Sequence, residues 1–197
     1  MNPDKETLAA YADKAEDYAD LAYNDTQMPE LAELASMVGP GDHVLDLGCG
    51  PGMHMIPLAA GGAKVTGFDP SPEFVEIGKR DGLDIRLAGF DDLDAVETYD
   101  AILASFSLLH APRDAFPGHL AQIHRALKPG GAFVIGMKTG TGEHRDSLGR
   151  FYVYYTLDEL HTALTAAGFA VLKTREGEGK GLAGTSDPYA VITTHRP

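Results

Sequence analysis

Glycines at alternate positions end the first strand-like run of the chain, in the segment VLDLGCGPG at residues 44–52. Glycine permits positive φ angles and lacks the Cβ atom that would keep a ligand away from the backbone. A helix that begins after such a turn presents unpaired N–H groups, which suit an anionic or nucleotide-like ligand. The segment therefore predicts that the backbone approaches a bound cofactor closely.

An acidic residue, Asp69, ends the next strand-like run, 19 positions after Gly50. A carboxylate at this point can accept hydrogen bonds from both hydroxyl groups of an adenosine ribose. The alternative interpretation is structural: Asp69 would stabilise the helix that Ser71 begins, and Asp46 would be a buried acceptor for the glycine turn. Because the glycine turn and the acid occur together at this spacing, a nucleotide-type site is favoured.

The spacing fits a dinucleotide less well. A dinucleotide fingerprint has its third glycine three residues after the second, and this chain has Met53 at that distance from Gly50. Gly52 comes one position too early. A nicotinamide-dependent oxidoreductase is therefore the weaker alternative, and the chain also shows no second, substrate-binding domain.

Strand-like and helical segments alternate around these motifs. Apolar runs at residues 43–47, 64–68, 83–87, 99–105, 132–137, 169–173 and 189–194 predict strands. Periodicity predicts one amphipathic helix through Leu8 and Ala22, and helices at residues 29–38, from Ser71, at 120–127 and at 156–167. The alternation predicts an α/β fold with a mainly parallel, doubly wound sheet. Residues 176–181 are too glycine-rich for regular structure, and the two final strands are expected to pair antiparallel.

Composition predicts one domain, residues 1–197, and narrows its partners. Sixteen basic and 29 acidic residues leave a formal charge of −13, which argues against nucleic acid and anionic membrane surfaces. One cysteine, no signal-type start and no run of about 20 apolar residues lead us to expect a cytoplasmic protein without a membrane span. His119 and His124 are five positions apart and share no helical face, so no metal site is expected.

The chain resembles the class I S-adenosylmethionine-dependent methyltransferases in four segments: VLDLGCGPG, GFDPSPE at residues 67–73, AGFDDLDAVETYDAILASFSLLH at 88–110, and LKPGG at 127–131. It also resembles a group of small bacterial methyltransferases in SLLH, KxGxGE, GRFxxY and the tyrosines of its N-terminal helix. The resemblance covers nearly the whole chain. It implies a Rossmann-like sheet of seven strands with an antiparallel last strand, S-adenosylmethionine as cofactor and S-adenosylhomocysteine as product.

The resemblance also implies a role for each cofactor-binding residue. Asp46 and the glycine-loop backbone would hold the methionine part, and Asp69 would bind the ribose hydroxyls. Members of the small group often carry an Arg-Asp pair where this chain has Met53 and His54, so Tyr18 or a backbone N–H is expected to replace that anchor. The implied set is Tyr18, Asp46, Gly48, Cys49, Gly50, Gly52, Asp69, Pro70, Phe90 and Asp91 at the adenine, and Ser105 and Phe106 near the sulfonium.

Methyl transfer from a sulfonium is an in-line displacement that requires alignment of the two reactants and exclusion of water. His110, after the fourth strand, is the candidate general base for a protonated acceptor; the alternative is a histidine that tethers its loop. Tyr18 is the second candidate catalytic residue, because residues 1–40 are predicted to form a lid over the cofactor. Tyr11 shares the helical face of Tyr18 and either contacts the acceptor or packs against the sheet.

Residues 138–155 combine charged and aromatic residues in a long connection of the kind that often carries function. Its arginines could pair with an acidic acceptor. The alternative is a solvated loop in which Phe151, Val153 and Tyr155 alternate into the core as a short strand. The candidate acceptor-binding residues are Tyr11, Lys138, Glu143, His144, Arg145, Arg150 and Tyr154.

The favoured function is methyl transfer to a small molecule, because the chain has no large insertion that would dock a protein or an RNA. A catalytically silent module that binds the adenosyl cofactor is an alternative, since binding and turnover use different residues. The sequence leaves open the atom that receives the methyl group, and whether the protein is a monomer or a homodimer.

Overall fold

The computed structural model of the protein describes residues 4–24 and 28–197. Its strands are β1 (His43–Leu47), β2 (Lys64–Asp69), β3 (Ile85–Leu87), β4 (Tyr99–Ser105), β5 (Leu127–Lys138), β6 (Glu143–Arg145), β7 (Phe151–Val153), β8 (Ala170–Lys180) and β9 (Ser186–His195). Its helices are α1 (Lys5–Ala12), α2 (Ala15–Asn24), α3 (Pro29–Ala35), α4 (Met55–Ala60), α5 (Pro72–Arg80), α6 (Phe116–Ala126) and α7 (Leu157–Ala166).

Seven of these strands form one sheet in the order β3-β2-β1-β4-β5-β9-β8. The strands from β3 to β5 are parallel, whereas β9 is antiparallel to both β5 and β8. The predicted α/β fold, with a mainly parallel seven-stranded sheet and an antiparallel last strand, is confirmed. The strand order reverses between β1 and β4, where the following loops diverge and leave a crevice for a ligand.

The central strands are buried on both faces, as parallel strands covered by helices must be. Ile102 and Phe133 pack on one face with buried side chains of α6 and α7. Leu103 and Val134 pack on the other face with Leu34 of α3. This two-sided core holds the carboxyl ends of β1 and β4 in fixed positions, and the loops that follow them carry the candidate site.

The N-terminal segment is two helices, so the prediction of one continuous helix was wrong. The chain turns at the exposed residues Asp13 and Lys14, where the Lys14 N–H donates to the carbonyl of Tyr11. A continuous helix would separate Tyr11 and Tyr18 by about 10 Å along its axis, but the turn brings their ring centroids to 5.5 Å. Periodicity missed the turn because both halves keep a helical spacing and the break contains neither glycine nor proline.

The glycine-rich residues 176–181 were also misjudged, since β8 continues regularly as far as Lys180. Gly177 pairs with Tyr189 and Gly179 with Asp187 of β9. A Cβ atom at Gly177 would come within 2.5 Å of the Tyr189 ring. The glycines therefore make room for a tyrosine on the neighbouring strand, a reason that only the pairing reveals.

The helix starts at Ser71 and Thr156 were predicted correctly. The Ser71 hydroxyl accepts a hydrogen bond from the Phe74 N–H at the start of α5, and Thr156 forms a capping box with Glu159 at the start of α7. Helix α6 begins earlier than predicted, at Phe116, because its proline falls in the first turn, where the missing N–H is harmless. No helix within residues 4–24 and 28–197 is long and apolar enough to cross a bilayer.

Candidate active site

A cavity of about 590 Å³ lies in the crevice at the carboxyl ends of β1, β2 and β4. It is walled on one side by the glycine loop after β1 and on the other by α1, α2 and the hairpin of β6 and β7. The sequence-predicted residues that line it are Tyr11, Tyr18, Gly48, Cys49, Gly50, Asp69, Pro70, Phe90, Asp91, Ser105, Phe106, Arg145 and His110. Residues from six separate parts of the chain therefore meet in one space.

The glycine loop approaches the loop after β4 so closely that a side chain would not fit. Gly48 has φ 78°, and a Cβ atom there would overlap the side chain of Ser107. The Ser107 hydroxyl in turn donates a hydrogen bond of 2.6 Å to the carbonyl of Leu47. Tyr18 covers the outer side of the loop, with its ring 3.7 Å from where a Cβ atom of Gly50 would lie.

Asp69 lies in the cavity wall and also supports the backbone, so both interpretations of this residue have a counterpart in the structure. One carboxylate oxygen accepts the Gly50 N–H at 2.8 Å, and the other accepts the Ser71 N–H at 2.9 Å. Burial raises the pKa of Asp69 to about 6, despite these two hydrogen bonds. The carboxylate thus ties the glycine loop to the start of α5 and keeps lone pairs available on the cavity side.

At one end of the cavity, Phe90 and Asp91 follow β3 in a short helical turn. The Phe90 ring lies edge-on to the imidazole of His119, with 5.4 Å between the ring centroids. The turn is held by the Asp92 carboxylate, which accepts the Gly89 N–H at 2.7 Å. Phe90 thus places an aromatic ring in the cavity wall, on which a nucleobase can stack.

His110 also lines the cavity and is joined to two elements at once. Its Nδ1 lies 2.6 Å from the carbonyl oxygen of Phe151, and a carbonyl can only accept, so this nitrogen carries the proton. Its Nε2 therefore accepts the hydroxyl of Tyr11 at 3.0 Å. Burial lowers the pKa of His110 to about 4, which keeps the ring neutral at physiological pH.

The backbone at Phe106 is unusual for a residue with a side chain, since its φ is 50°. Its N–H donates to the carbonyl of Gly136, and its ring lies over that glycine, where a Cβ atom would stand 3.0 Å away. The ring also meets Tyr189 edge-on at 5.5 Å. Strained conformations of this kind persist where the surroundings hold them, often at ligand sites.

The first helix is fastened across this end of the cavity. Arg145 of the hairpin donates two hydrogen bonds of 2.9 Å to the carboxylate of Asp4, the N-cap residue of α1. The Thr7 hydroxyl accepts the N–H of Phe151 at 2.8 Å. Asp4, Thr7, Arg145 and Phe151 all line the cavity, so α1 and the hairpin close it together.

Comparison with known proteins identifies this arrangement. Residues 44–131, which contain the glycine loop, Asp69 and Phe90, match the family model described as a methyltransferase domain. The match covers 88 of the 197 residues of the chain. Over this segment, the sequence-based recognition of a methyltransferase domain is confirmed.

Similar proteins include a solved structure and curated methyltransferases. A crystal structure of the 1,6-didemethyltoxoflavin-N1-methyltransferase of Burkholderia thailandensis, with bound 1,6-didemethyltoxoflavin and S-adenosylhomocysteine, is 27% identical, with a TM-score of 0.79 over 97% of this chain and 87% of that one. The tRNA U34 carboxymethyltransferase of Cellvibrio japonicus is 32% identical over 63% of this chain and 39% of its own length. The ubiquinone biosynthesis O-methyltransferase of Xanthomonas oryzae is 36% identical over 48% of this chain and 42% of its own length. The chain thus spans less than half the length of these two curated relatives.

Two observations at this cavity fit the cofactor that the sequence resemblance implies. The contact at Gly48 leaves bare backbone at the cavity wall, and several buried polar atoms beside the loop have no hydrogen-bond partner among the described residues. These atoms belong to Glu30, Asp46 and His54. His54 lies between the other two, with Nε2 3.5 Å from Glu30 and Nδ1 3.7 Å from Asp46.

The remaining sequence-predicted residues lie outside the cavity wall. Lys138 is paired with Asp187 at 2.7 Å. Arg150 is buried, donates to the Tyr11 hydroxyl at 3.2 Å and is itself held by Asp146. Asp46 is fully buried. Gly52 packs against Leu83, Glu143 lies 3.8 Å from Arg113, and His144 stacks on Tyr154 with 4.5 Å between the ring centroids.

Sequence reasoning missed several residues of the cavity wall, namely Asp4, Thr7, Leu8, Phe74, Ala111, Pro112 and His119, and had named Phe151 only as part of the alternative solvated strand. The N-cap pattern at Asp4 and Thr7 was a readable signal for a helix start, but nothing in it pointed to the hairpin about 140 residues later. Among the described residues, no group of three or more His, Cys, Asp or Glu side chains is arranged to hold a metal ion.

Proposed function

We propose that the protein transfers the methyl group of S-adenosylmethionine to a small-molecule acceptor bound beside Tyr11 and Phe151. The observation that carries this proposal is the continuity of the cavity, which runs from Asp69 and Phe90 to these two aromatic residues. Its volume of about 590 Å³ is in the range of small-molecule and cofactor pockets. One enclosed space thus has room for a cofactor at one end and an acceptor at the other.

The enclosure favours a small acceptor over a polymer. Helix α1 lies across the acceptor end and is fastened to the hairpin through Asp4 and Arg145. A tRNA or protein substrate would have to displace this contact, whereas a small molecule can be enclosed by it. The formal charge of −13 also opposes approach of a nucleic acid. The Burkholderia thailandensis structure, which holds 1,6-didemethyltoxoflavin beside S-adenosylhomocysteine, supports the same assignment.

When bound, S-adenosylmethionine supplies a methyl group bonded to a positively charged sulfur. The chain's task is to align this methyl group with a lone pair of the acceptor and to exclude water. The acceptor atom bonds to the methyl carbon while the carbon–sulfur bond breaks, and that electron pair stays on sulfur. Aromatic side chains at the acceptor end keep the site dry and pack on a flat ligand.

We assign the contact with the acceptor to the Tyr11 ring rather than to His110 directly, because the Tyr11 hydroxyl is already engaged by neighbouring side chains. The Nε2 lone pair of His110 is already engaged by Tyr11, and its low pKa makes it a weak proton acceptor at neutral pH. His110 and Arg150 instead hold the Tyr11 oxygen from two sides. In this arrangement Tyr11 orients the acceptor, and His110 is a positioning residue.

The proposal is tested first by binding and then by turnover. Titration calorimetry should show that wild type and Asp94→Asn, an exposed acid on the loop after Phe90, bind S-adenosylhomocysteine alike. Asp69→Asn should bind it about tenfold more weakly or worse, because a charged acceptor is lost. NAD should not bind at comparable concentration.

Turnover is then sought with methyl-labelled S-adenosylmethionine and a cell extract divided by ultrafiltration into small molecules and macromolecules. Label entering only the small-molecule fraction supports the proposal. Label in the macromolecular fraction would contradict the proposal and show that the acceptor is a polymer. Cofactor binding without transfer to either fraction would favour the silent binding module.

A further inference from the structure

The polar groups around Tyr11 in the cavity wall are already bonded to one another. Nδ1 of His110 donates to the Phe151 carbonyl, and Nε2 accepts the Tyr11 hydroxyl. The Tyr11 oxygen also accepts a hydrogen bond of 3.2 Å from Arg150. A ligand beside Tyr11 therefore meets its ring rather than an unused donor or acceptor.

The charged pair between α1 and the hairpin is also satisfied. Both terminal nitrogens of Arg145 donate to the Asp4 carboxylate, and its Nε lies 3.1 Å from Glu6. The Thr7 hydroxyl donates to Asp4 at 2.7 Å and accepts the N–H of Phe151. An acidic acceptor would have to displace Asp4 or Glu6 to reach the guanidinium.

The hydroxyl and thiol groups of the wall around the β1 and β4 loops are engaged as well. Ser105 donates to Glu30 at 2.8 Å, and Ser107 donates to the Leu47 carbonyl at 2.6 Å. Burial raises the pKa of Cys49, which therefore stays a thiol at neutral pH. These side chains bond within the protein and leave the acceptor to supply its own reactive lone pair.

The histidines of the wall are poorly suited to remove a proton from an acceptor. Burial lowers the pKa of His110 to about 4, and its Nε2 is occupied by Tyr11. Burial opposes the charge of His54, but two carboxylates beside it raise its pKa to about 9, so it already holds its proton. Burial lowers the pKa of His119, whose ring lies against Phe90 on the cofactor side.

The other ionisable groups have different tasks. Hydrogen bonds from Arg145 hold the pKa of Asp4 well below its usual range. Asp69 and Asp91 are assigned to the cofactor in the proposed function. Burial raises the pKa of Tyr18, so its hydroxyl keeps its proton at neutral pH. Among the wall residues that the structure describes, none is thus available as a general base for the acceptor.

Aromatic rings make up much of the remaining wall. They belong to Tyr11, Tyr18, Phe74, Phe90, Phe106 and Phe151. The guanidinium carbon of Arg150 lies 5.2 Å from the Tyr11 ring centroid, and that of Arg145 lies 5.6 Å from the Phe151 centroid. A cationic acceptor would meet rings that already hold a cation on one face, whereas a flat neutral molecule can stack on them.

These properties select among acceptor chemistries. A phenol or an ammonium group has a pKa of about 10 and must lose a proton before it can attack. A thiolate or a carboxylate brings a charge that is costly to bury without a donor. A ring nitrogen of the imidazole or pyridine type presents a neutral lone pair at pH 7 without help from a base.

We infer that the acceptor is a neutral, flat heteroaromatic molecule, and that one of its unprotonated ring nitrogens receives the methyl group without a base from the protein. The inference rests on the proposed methyl transfer and deepens it. The nitrogen lone pair bonds to the methyl carbon while the carbon–sulfur bond breaks, and that electron pair stays on sulfur. The positive charge moves from sulfur to the acceptor ring, and no proton passes to the protein.

The test locates the transferred methyl group. Wild type is incubated with methyl-labelled S-adenosylmethionine and the small-molecule fraction of the cell extract, and NMR of the labelled methyl group identifies the atom that carries it. An aromatic ring nitrogen is expected. Label on oxygen, sulfur, carbon or an aliphatic nitrogen would overturn the inference and leave the proposed function standing. Absence of label from this fraction would overturn the proposed function, and the inference with it.

A pH series with the purified acceptor, at saturating cofactor, tests the protonation state. Between pH 7 and pH 8, kcat/KM should change by less than about twofold, because a ring nitrogen is already unprotonated. An acceptor with a pKa of about 10 would react about tenfold faster at the higher pH, which would contradict the inference.

His110→Gln distinguishes a base from a positioning residue. Glutamine can still accept the Tyr11 hydroxyl but cannot take up a proton, so kcat/KM should fall less than about tenfold, with the same pH profile. A fall of about a hundredfold or more would make His110 the base and overturn the inference. His161→Gln, which lies on α7 outside the cavity wall, is the matched control and should leave the rate unchanged. The groups that face His110 are Tyr11 from α1, Lys138 from β5, and Asp146, Arg150 and Tyr152 from the hairpin.

Discussion

The Tyr11 hydroxyl donates a 3.0 Å hydrogen bond to Nε2 of His110, and this bond connects α1 to the loop after β4. The two residues are 99 positions apart in sequence. Because the Phe151 carbonyl holds the proton of the other ring nitrogen, the direction of the Tyr11 bond is determined. Helix, strand end and hairpin are thereby joined at one imidazole.

The neutral state of His110 has a consequence for stability. Its pKa falls from 6.5 to about 4 on folding because of burial. Between pH 6.5 and pH 4, the unfolded chain therefore binds a proton at His110 that the folded chain does not bind. Stability should therefore fall as the pH drops from about 6.5 towards 4. Between pH 7 and pH 5 the loss from this residue is about 2 kcal/mol.

Urea unfolding at both pH values, in wild type and His110→Gln, measures this contribution. The variant should lose about 2 kcal/mol less than wild type between pH 7 and pH 5. An equal loss in both proteins would mean that His110 titrates in the folded state as it does in the unfolded chain.

Removal of the Tyr11 hydroxyl should impair transfer but not cofactor binding. Tyr11→Phe keeps the ring that packs on Phe74 and loses only the oxygen held by His110 and Arg150. We expect kcat/KM to fall about tenfold to a hundredfold, and affinity for S-adenosylhomocysteine to stay within about twofold. Tyr99→Phe, at the opposite end of β4, is the control. Weaker cofactor binding with an unchanged rate of transfer would mean that Tyr11 contacts the cofactor rather than the acceptor.

Cofactor binding should weaken in acid because of Asp69. Burial raises the pKa of this carboxyl to about 6, and a protonated carboxyl accepts ribose hydroxyls less well. Below pH 6, affinity for S-adenosylhomocysteine should fall by up to about tenfold per pH unit, as measured by calorimetry. Asp69→Asn should bind weakly at every pH, without this slope.

The stability of the ligand-free protein should show the opposite trend at this residue. Because the folded-state pKa of Asp69 lies above the unfolded value of 3.8, its contribution is present at low pH and is lost as the pH rises through 6. A folded protein that is more stable when a carboxyl group is neutral than when it is charged is typical of a carboxylate retained for ligand binding.

Two glycines with nearly the same positive φ angle distinguish the cost of backbone strain from the cost of a steric clash. Gly48 and Gly130 have φ of 78° and 80°, but a Cβ atom added at Gly48 would collide with Ser107, whereas one added at Gly130 would meet no atom within 4 Å. Gly130→Ala should cost about 1 kcal/mol of unfolding free energy. Gly48→Ala should cost about 2 kcal/mol more and abolish cofactor binding, since the loop must move. An equal loss of unfolding free energy in both variants would mean that the loop after β4 moves away from the added Cβ atom at little cost.

The contact between Asp4 and Arg145 should hold α1 against the hairpin without adding much to the free energy of unfolding. Arg145 and Arg80 are both exposed arginines in ion pairs, so Arg145→Gln and Arg80→Gln should each change stability by less than about 1 kcal/mol. Only Arg145→Gln should speed hydrogen exchange in α1 and the release of S-adenosylhomocysteine. Unchanged exchange in α1 would show that the helix is held by other contacts.

Much of the fold could be predicted because its signals are local. The strand-like runs, the Ser71 and Thr156 caps and the alternation of elements each depend on neighbouring residues, and the sheet follows from them. Two features could not be predicted in this way: the turn between α1 and α2, and the continuation of β8 past Gly177. Each depends on a partner that is far away in sequence. For β8 that partner is the Tyr189 ring.

The two halves of the site differ in the same way. The glycine loop and Asp69 are recognisable from the chain alone, because a close backbone approach requires glycine and a ribose requires an acid at the end of a strand. The acceptor half is different, since Lys138, Glu143 and His144 point to other partners and Arg150 lies behind Tyr11. Charge and aromaticity mark a loop as notable but do not state which side faces the cavity.

By itself, the sequence determined the fold class, the cofactor and the residues of the loop that receives it. Only the tertiary structure decided that Glu30 reaches His54, that His110 is neutral and bound to Tyr11, and that Asp4 meets Arg145 across the cavity. The reason is physical. Local spacing specifies turns and periodicity, whereas burial, pKa and pairing depend on elements that come together only when the sheet has formed.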